Sequence, residues 1–301
     1  MKLGILVVYL FGARTAPLLD IHLSRIERYT RVPYTIYASA NRLAPEFRER
    51  LTLHPRIRIC DIPDTDLRGM LEHSYYLDHL ARIAIEDGVT HAVTLHLDSF
   101  PIRQGWAEEL AGRLSERCVL ATIDSVNTAC LFFHRDFYCR YHPNFLVTEE
   151  ECTSPLYPKF LTAHCLVHHS GTGYAYRAYQ HGLLWNYLPL TPTYGAAQIG
   201  DVFGGMIFHL VQGIWAGEYH SQLNYSLHQR AYERIVAATR RAYRFVVPDD
   251  LRRKFRLRFG RVLGLVVHRP FMTWHAQCIE QFLQNPEAYI APIENRIMLS
   301  S

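Results

Sequence analysis

Asp98 closes the run Ala92-Val93-Thr94-Leu95-His96-Leu97, a short, mostly apolar and partly β-branched segment of the kind that forms a strand covered on both faces. Ser99-Phe100-Pro101 follows, and Pro101 cannot continue a central strand because it has no backbone donor. Open α/β sheets bind ligands beyond the carboxyl ends of their strands, so this carboxylate stands where chemistry is done. Its oxygens suit a hard divalent cation, although a carboxylate there can also simply cap the turn. His209, in a second apolar run (206–211), is either another ligand or a core histidine held within a sheet. His96 lies two residues before Asp98 on the same strand face and is expected to pack beneath the site. Two groups could accept a proton. Asp201 is the sole carboxylate between Glu151 and His209, and His169 begins a helical stretch whose positive dipole end favours a neutral imidazole.

These groups need a scaffold, and the chain supplies alternating patterns. Leu3 to Tyr9 reads as a strand, Ala16 to Tyr29 as a helix, Tyr34 to Ala38 as a strand and Ala44 to Leu53 as a helix. Ile57 to Cys60 is a third strand, and the helix from His73 ends at Glu86-Asp87-Gly88 before the strand that carries Asp98. Such β-α repetition predicts a parallel sheet with crossover helices. A helix from Trp106 to Leu114 and a strand from Cys118 to Ile123 continue it. Residues 132–169 are aromatic-rich and irregular and are expected to form loops and short helices over the sheet. Tyr174 to His181 reads as a helix, Leu183 to Leu188 as a strand, and a Gly-, Thr- and Pro-rich loop reaches Asp201. Residues 1–220 are expected to form the α/β domain and residues 221–301 a basic helical C-terminal extension.

The formal net charge of +4 hides an asymmetry: residues 226–268 hold eleven Lys or Arg against three Asp or Glu. Seven cysteines form no CxxC pair and no metal-knuckle spacing, which predicts reduced thiols in a cytoplasmic protein. One Lys before an apolar run at the N-terminus imitates a signal peptide, but bulky Phe11 occupies the position that cleavage at Ala13 would want small. The run is read instead as the first buried strand.

Several stretches resemble one family when taken together in order. Leu97-Asp98-Ser99-Phe100, then Gly105-Trp106, then Gly173-Tyr174-Ala175-Tyr176-Arg177 with Gly182, preceded by His73-Ser74 and Leu77-Asp78, are similar to the motifs of GT-A nucleotide-sugar glycosyltransferases of the family-2-like bacterial type. The resemblance covers about residues 1–215. It implies a Rossmann-like, mostly parallel sheet with flanking helices and transfer of a sugar from a nucleotide diphosphate, inverting and assisted by Mn²⁺ or Mg²⁺. The acceptor would be a glycan, a lipid-linked molecule or a small molecule. In that frame Asp98 and His209 hold the metal, and Asp201 or His169 is the base. The loops after the first two strands would hold nucleotide through Tyr9, Phe11, Arg14, Ser39 and Asn41, with His73 and Ser99 nearby. Three places depart from the pattern: Phe100 replaces the second carboxylate of Asp-x-Asp, Ser170-Gly171 replaces an expected Glu-Asp pair, and Gly173 stands where the pattern's helix has an Asp. These losses keep open a catalytically impaired sugar-nucleotide-binding or scaffold protein. A sugar-nucleotide pyrophosphorylase is the rival enzyme, for which Phe11 to Thr15 is a poor phosphate loop.

Residues 251–263 interleave cations with Phe255, Leu257, Phe259 and Leu263. Such a helix can lie on an anionic membrane surface, here the inner face of the cell membrane, or pack against the domain or a second copy in a homodimer. Nucleic acid is not expected, because no recognised reading module accompanies the charge.

Overall fold

The computed structural model describes residues 1–191, 200–210, 251 and 279–300. The basic stretch 251–263 therefore lies, Leu251 apart, outside the described residues. Strand β1 (Leu3–Val8) occupies the middle of the main sheet, pairing in parallel with β2 (Tyr34–Ser39) on one side and β4 (His91–Leu95) on the other. Adding β3 (Ile57–Ile59), β6 (Cys118–Ile123), β7 (Asn127–His134) and β8 (Leu184–Tyr187) gives seven strands in the order β3-β2-β1-β4-β7-β6-β8. Only β7 runs against its neighbours, so the sheet is mostly parallel, as expected.

Successive residues of β1 serve opposite faces, the period-two alternation of any strand. Leu3, Ile5 and Val7 join a core with α1 (Pro17–Tyr29) and α4 (Trp106–Gly112). Leu6 faces α3 (Met70–Glu86) and, further along, the aromatic layer of α5 (Arg135–Tyr141), α7 (Leu156–His164) and α8 (Thr172–Gln180). Gly4 lets α3 come close: a Cβ there would lie 3.3 Å from Val89 and 3.4 Å from Ala84. The described C-terminal residues are part of the first core through Ile279, Phe282, Ile290, Ile293 and Ile297.

Two features depart from the reading of the sequence. The first is β7, whose second half falls in the stretch expected to be irregular. The chain reverses into it through a 3₁₀ turn, Asp124–Val126, where Ser125 and Val126 take left-handed φ values of 63° and 56°. A β-branched residue in that region is costly and gives no turn signal in sequence. The second is a small antiparallel sheet in the order β5-β11-β10-β9, from β5 (Ser99–Pro101), β9 (Leu190–Thr191), β10 (Asp201–Phe203) and β11 (Ile207–His209). Pro101 is tolerated because β5 is an edge strand. Asp201 thus opens a strand and does not lie in a loop. The six described cysteines are unpaired. Among the described residues no helix is long and apolar enough to cross a membrane.

Candidate functional site

The site is built where the two sheets meet. β4 ends at Leu95, and a tight turn through Asp98 hands the chain from the main sheet to the small one. Ser99 holds that turn: its N–H donates to the His96 carbonyl at 3.0 Å, and its hydroxyl accepts from the His96 N–H at 2.8 Å and donates to the Ala129 carbonyl at 2.6 Å. On the other side the Leu210 N–H donates to the Asp98 carbonyl at 2.8 Å, which brings the end of β11 against the turn. Three side chains converge as a result. Asp98 Oδ1 lies 3.9 Å from His96 Nδ1 and 3.8 Å from His209 Nε2. One donor atom from each of the three falls within 4.8 Å of the others. Carboxylate plus two imidazoles is a donor set that fits a divalent first-row cation.

Further groups set the orientation of these three. His96 Nε2 lies 3.0 Å from the Thr128 hydroxyl at the start of β7, leaving Nδ1 to face Asp98. The His73 ring meets the His96 ring edge-on, with centroids 5.2 Å apart. Beneath the turn, His22 of α1 is wholly buried and its Nδ1 lies 3.0 Å from the Ser99 carbonyl. A carbonyl can only accept, so Nδ1 carries the proton there. Burial pushes His22 and His73 down to about 4 and lowers His96 well below its ordinary value, with His73, His209 and His22 adding to the effect on His96. All three are therefore neutral at pH 7 and offer lone pairs.

Asp201 is the register partner of His209, which is in turn the register partner of Ser99, so the candidate base stands one strand away from the cluster. His169 precedes α8, as expected, and its carbonyl accepts from the Thr172 hydroxyl at 2.5 Å. The hydroxyl of the next residue, Ser170, lies 2.9 Å from that of Ser74, which follows His73 in α3.

The nucleotide-binding expectations fare unevenly. Tyr9 and Phe11 are 1% and 6% exposed, Tyr9 edge-on to His22 and Phe11 against Phe47. Neither offers a free ring face, so base stacking on them is corrected: core packing has taken both. Ser99 is likewise spent on the turn. Ser39 donates to Asn41 Oδ1 at 3.1 Å, and Asn41 donates to the Ile62 carbonyl and to Asp64, so this pair holds the loop after β2. Arg14 lies 3.6 Å from Glu280 and remains one-third exposed.

Phe100 is fully buried with its ring centroid 5.2 Å from that of Phe208, so the position two residues after Asp98 belongs to the core. On the other side stands His96, whose Nδ1 lies 3.9 Å from Asp98 Oδ1. Pattern reading expected His96 to pack below the site; a His-x-Asp spacing across a strand end was the signal that could have found it. Thr128 and His22 left no comparable sign.

The two glycines where the family pattern has acidic residues are sterically required. A Cβ on Gly171 would lie 2.2 Å from the Val126 carbonyl oxygen, and one on Gly173 would lie 2.1 Å from that of Asn144. Gly171 also takes φ +98°.

No family model matches the chain, and no curated protein matches it. Among solved structures it is similar to residues 1–349 of TarS from S. aureus, at TM-score 0.44 and 8% identity over 100% of this chain and 92% of that one. TarS has also been solved with UDP-GlcNAc. It is similar to the glycosyltransferase GlyE of Streptococcus pneumoniae (TM-score 0.38, 13% identity, 82% of this chain and 52% of that one). Mouse xyloside xylosyltransferase 1 is a third (TM-score 0.36, 12% identity, 62% of this chain and 85% of that one). The likeness is one of fold.

Proposed function

We propose that this chain is a glycosyltransferase that moves a sugar from a nucleotide diphosphate donor to a glycan, lipid-linked or small-molecule acceptor. One observation carries the reading: His96, Asp98 and His209 converge at the carboxyl edge of a mostly parallel sheet, the ligand-binding edge of open α/β folds. A divalent ion held there would neutralise charge on the departing diphosphate, the main electrostatic demand of such a transfer. The chain's own task is then to position the reactants and to take one proton. Asp201, beside His209, and His169, at the mouth of α8, are the groups for that proton in an inverting transfer. Arg14, the loop held by Ser39 and Asn41, and His73 border the donor. The basic residues 251–263 would meet an anionic membrane surface, drawing the enzyme to a lipid-linked acceptor.

Calorimetric titration with UDP-, GDP- and TDP-sugars, with and without Mn²⁺, tests the reading together with release of free nucleoside diphosphate. Metal-dependent binding with release of diphosphate is expected. Absence of binding to every sugar nucleotide would sink it. Binding without turnover would favour a sugar-nucleotide-binding protein, a second reading that rests on Gly171 and Gly173 closing the positions where the family pattern has acidic residues.

A further inference from the structure

Asp98 and His209 leave a cation short of protein ligands, and the position two residues after Asp98 is filled by buried Phe100. We propose that His96 completes the site through Nδ1, with Thr128 as its positioning residue, and that this nitrogen-rich set takes a late first-row ion such as Co²⁺ or Zn²⁺ in preference to Mg²⁺. The inference deepens the metal role proposed for Asp98 and His209 and does not require the sugar-nucleotide reading.

The geometry supports the assignment at three points. First, His96 Nδ1 and His209 Nε2 approach the same carboxylate oxygen, at 3.9 and 3.8 Å, from rings inclined at 74° with centroids 5.9 Å apart. These separations are too long for direct hydrogen bonds, which end near about 3.2 Å for N–H···O. They are near the spacing of ligands about a shared ion, roughly 3 Å for bonds of about 2.1 Å at right angles, so a small inward movement closes the set. Second, Thr128 holds Nε2 at 3.0 Å. When its hydroxyl accepts Nε2–H, the Nδ1 lone pair faces Asp98; metal-binding histidines are held in this way by a partner on the other ring nitrogen. Third, the turn is rigid: Ser99 fixes the His96 backbone, and His22 fixes the Ser99 carbonyl. Asp98 is 5% exposed, so little water competes for it.

Donor chemistry sets the preference. Mg²⁺ demands oxygen ligands and surrenders water reluctantly, whereas imidazole affinity rises from Mn²⁺ through Co²⁺, with Zn²⁺ also strongly bound. Two imidazoles and one carboxylate therefore rank Zn²⁺ and Co²⁺ above Mn²⁺, and Mg²⁺ last.

The test is direct titration of the full chain with CoCl₂ in the absence of any nucleotide, followed by visible absorbance. One equivalent should give a d–d band that equimolar ZnCl₂ abolishes and a hundredfold excess of MgCl₂ leaves intact. His96→Asn should lose the band, and Thr128→Val, which keeps the side-chain shape, should weaken Co²⁺ binding by ~10–100-fold. His181→Ala, at an exposed histidine, is the control for adventitious binding and should leave the titration unchanged. His96→Asp, which exchanges an imidazole for a carboxylate, should let Mg²⁺ compete. Thermal melts check that each variant folds, and Thr128→Val keeps the test alive if a His96 variant does not. A band that survives in His96→Asn, a Co²⁺ affinity unchanged in Thr128→Val, or a band that Mg²⁺ removes from the wild-type chain overturns the proposal. A band with these properties alongside no sugar-nucleotide binding would support this inference while refuting the transferase reading.

Discussion

Arg25 makes three hydrogen bonds to carboxylates of the C-terminal helix, Pro286–Ser300, and removing it should undock that helix. Its Nε donates to Glu294 at 2.6 Å, and its two terminal nitrogens grip Glu287 at 2.7 and 2.6 Å. The two partners differ in one decisive respect. The side chains of Arg25 and Glu294 are each 4% exposed, whereas that of Glu287 is 61% exposed. Arg25→Met strands the Glu294 carboxylate in the core, and breaking a buried pair from one side costs about 3–5 kcal/mol. Arg28 remains 3.8 Å from Glu294 and is 57% exposed, so it recovers part of that loss and sets the expectation near about 3 kcal/mol. Glu287→Gln only releases an exposed partner into water and should cost about 1 kcal/mol or less. The double variant Arg25→Met/Glu294→Leu removes both charges and should return close to wild type, because apolar replacement of a buried pair is often neutral. Urea unfolding measures the global changes. Amide exchange within residues 286–300 measures local undocking, which should accelerate roughly a hundredfold in Arg25→Met for a loss of about 3 kcal/mol. The reasoning fails if Glu287→Gln costs as much as Arg25→Met, or if the double variant is no more stable than the single one.

Two further outcomes follow from buried groups. Burial raises the Asp78 carboxyl to about 7 against the opposing hydrogen bond from the Phe145 N–H, at 2.8 Å. Between the unfolded carboxylate value near ~3.9 and a folded value of about 7, the native state holds a proton that the unfolded chain has lost, so stability should fall as pH rises through this window. The ceiling is about 4 kcal/mol, and Asp78→Asn, which still accepts from Phe145, should flatten the profile and be the more stable form at pH 8; an unchanged slope in urea melts between pH 4 and 8 would exclude Asp78 as its source. Restoring acidity at the helix α8 entry should also fail: Gly173→Asp would drive a Cβ to 2.1 Å from the Asn144 carbonyl and should lower stability by more than about 3 kcal/mol without raising turnover. A Gly173→Asp chain that melts with the wild type would show that the loop at Asn144 yields.

Elements with a clean period were legible in the sequence, because burial imposes that period on the residues. α1 is observed at Pro17–Tyr29 and β2 at Tyr34–Ser39, within a residue or two of where the apolar spacing put them. β7 was not legible, since its turn depends on Ser125 and Val126 adopting a backbone that neither residue type announces. Asp98 and His209 could be singled out because one closes an apolar run and the other interrupts one, each a polar group at a place that burial otherwise reserves for apolar residues. Their shared neighbour His96 required something finer. In an uninterrupted strand the positions two before and two after Asp98 share its face equally, so alternation cannot choose between His96 and Phe100. The choice is made by the strand end. β4 stops at Leu95, the turn locked by Ser99 keeps His96 beside Asp98, and everything beyond follows the small sheet, so Phe100 joins Phe208 in the core. Whether His96 or Phe100 stands beside Asp98 thus rests on a boundary shift of two residues, and strand boundaries are what periodicity places least well.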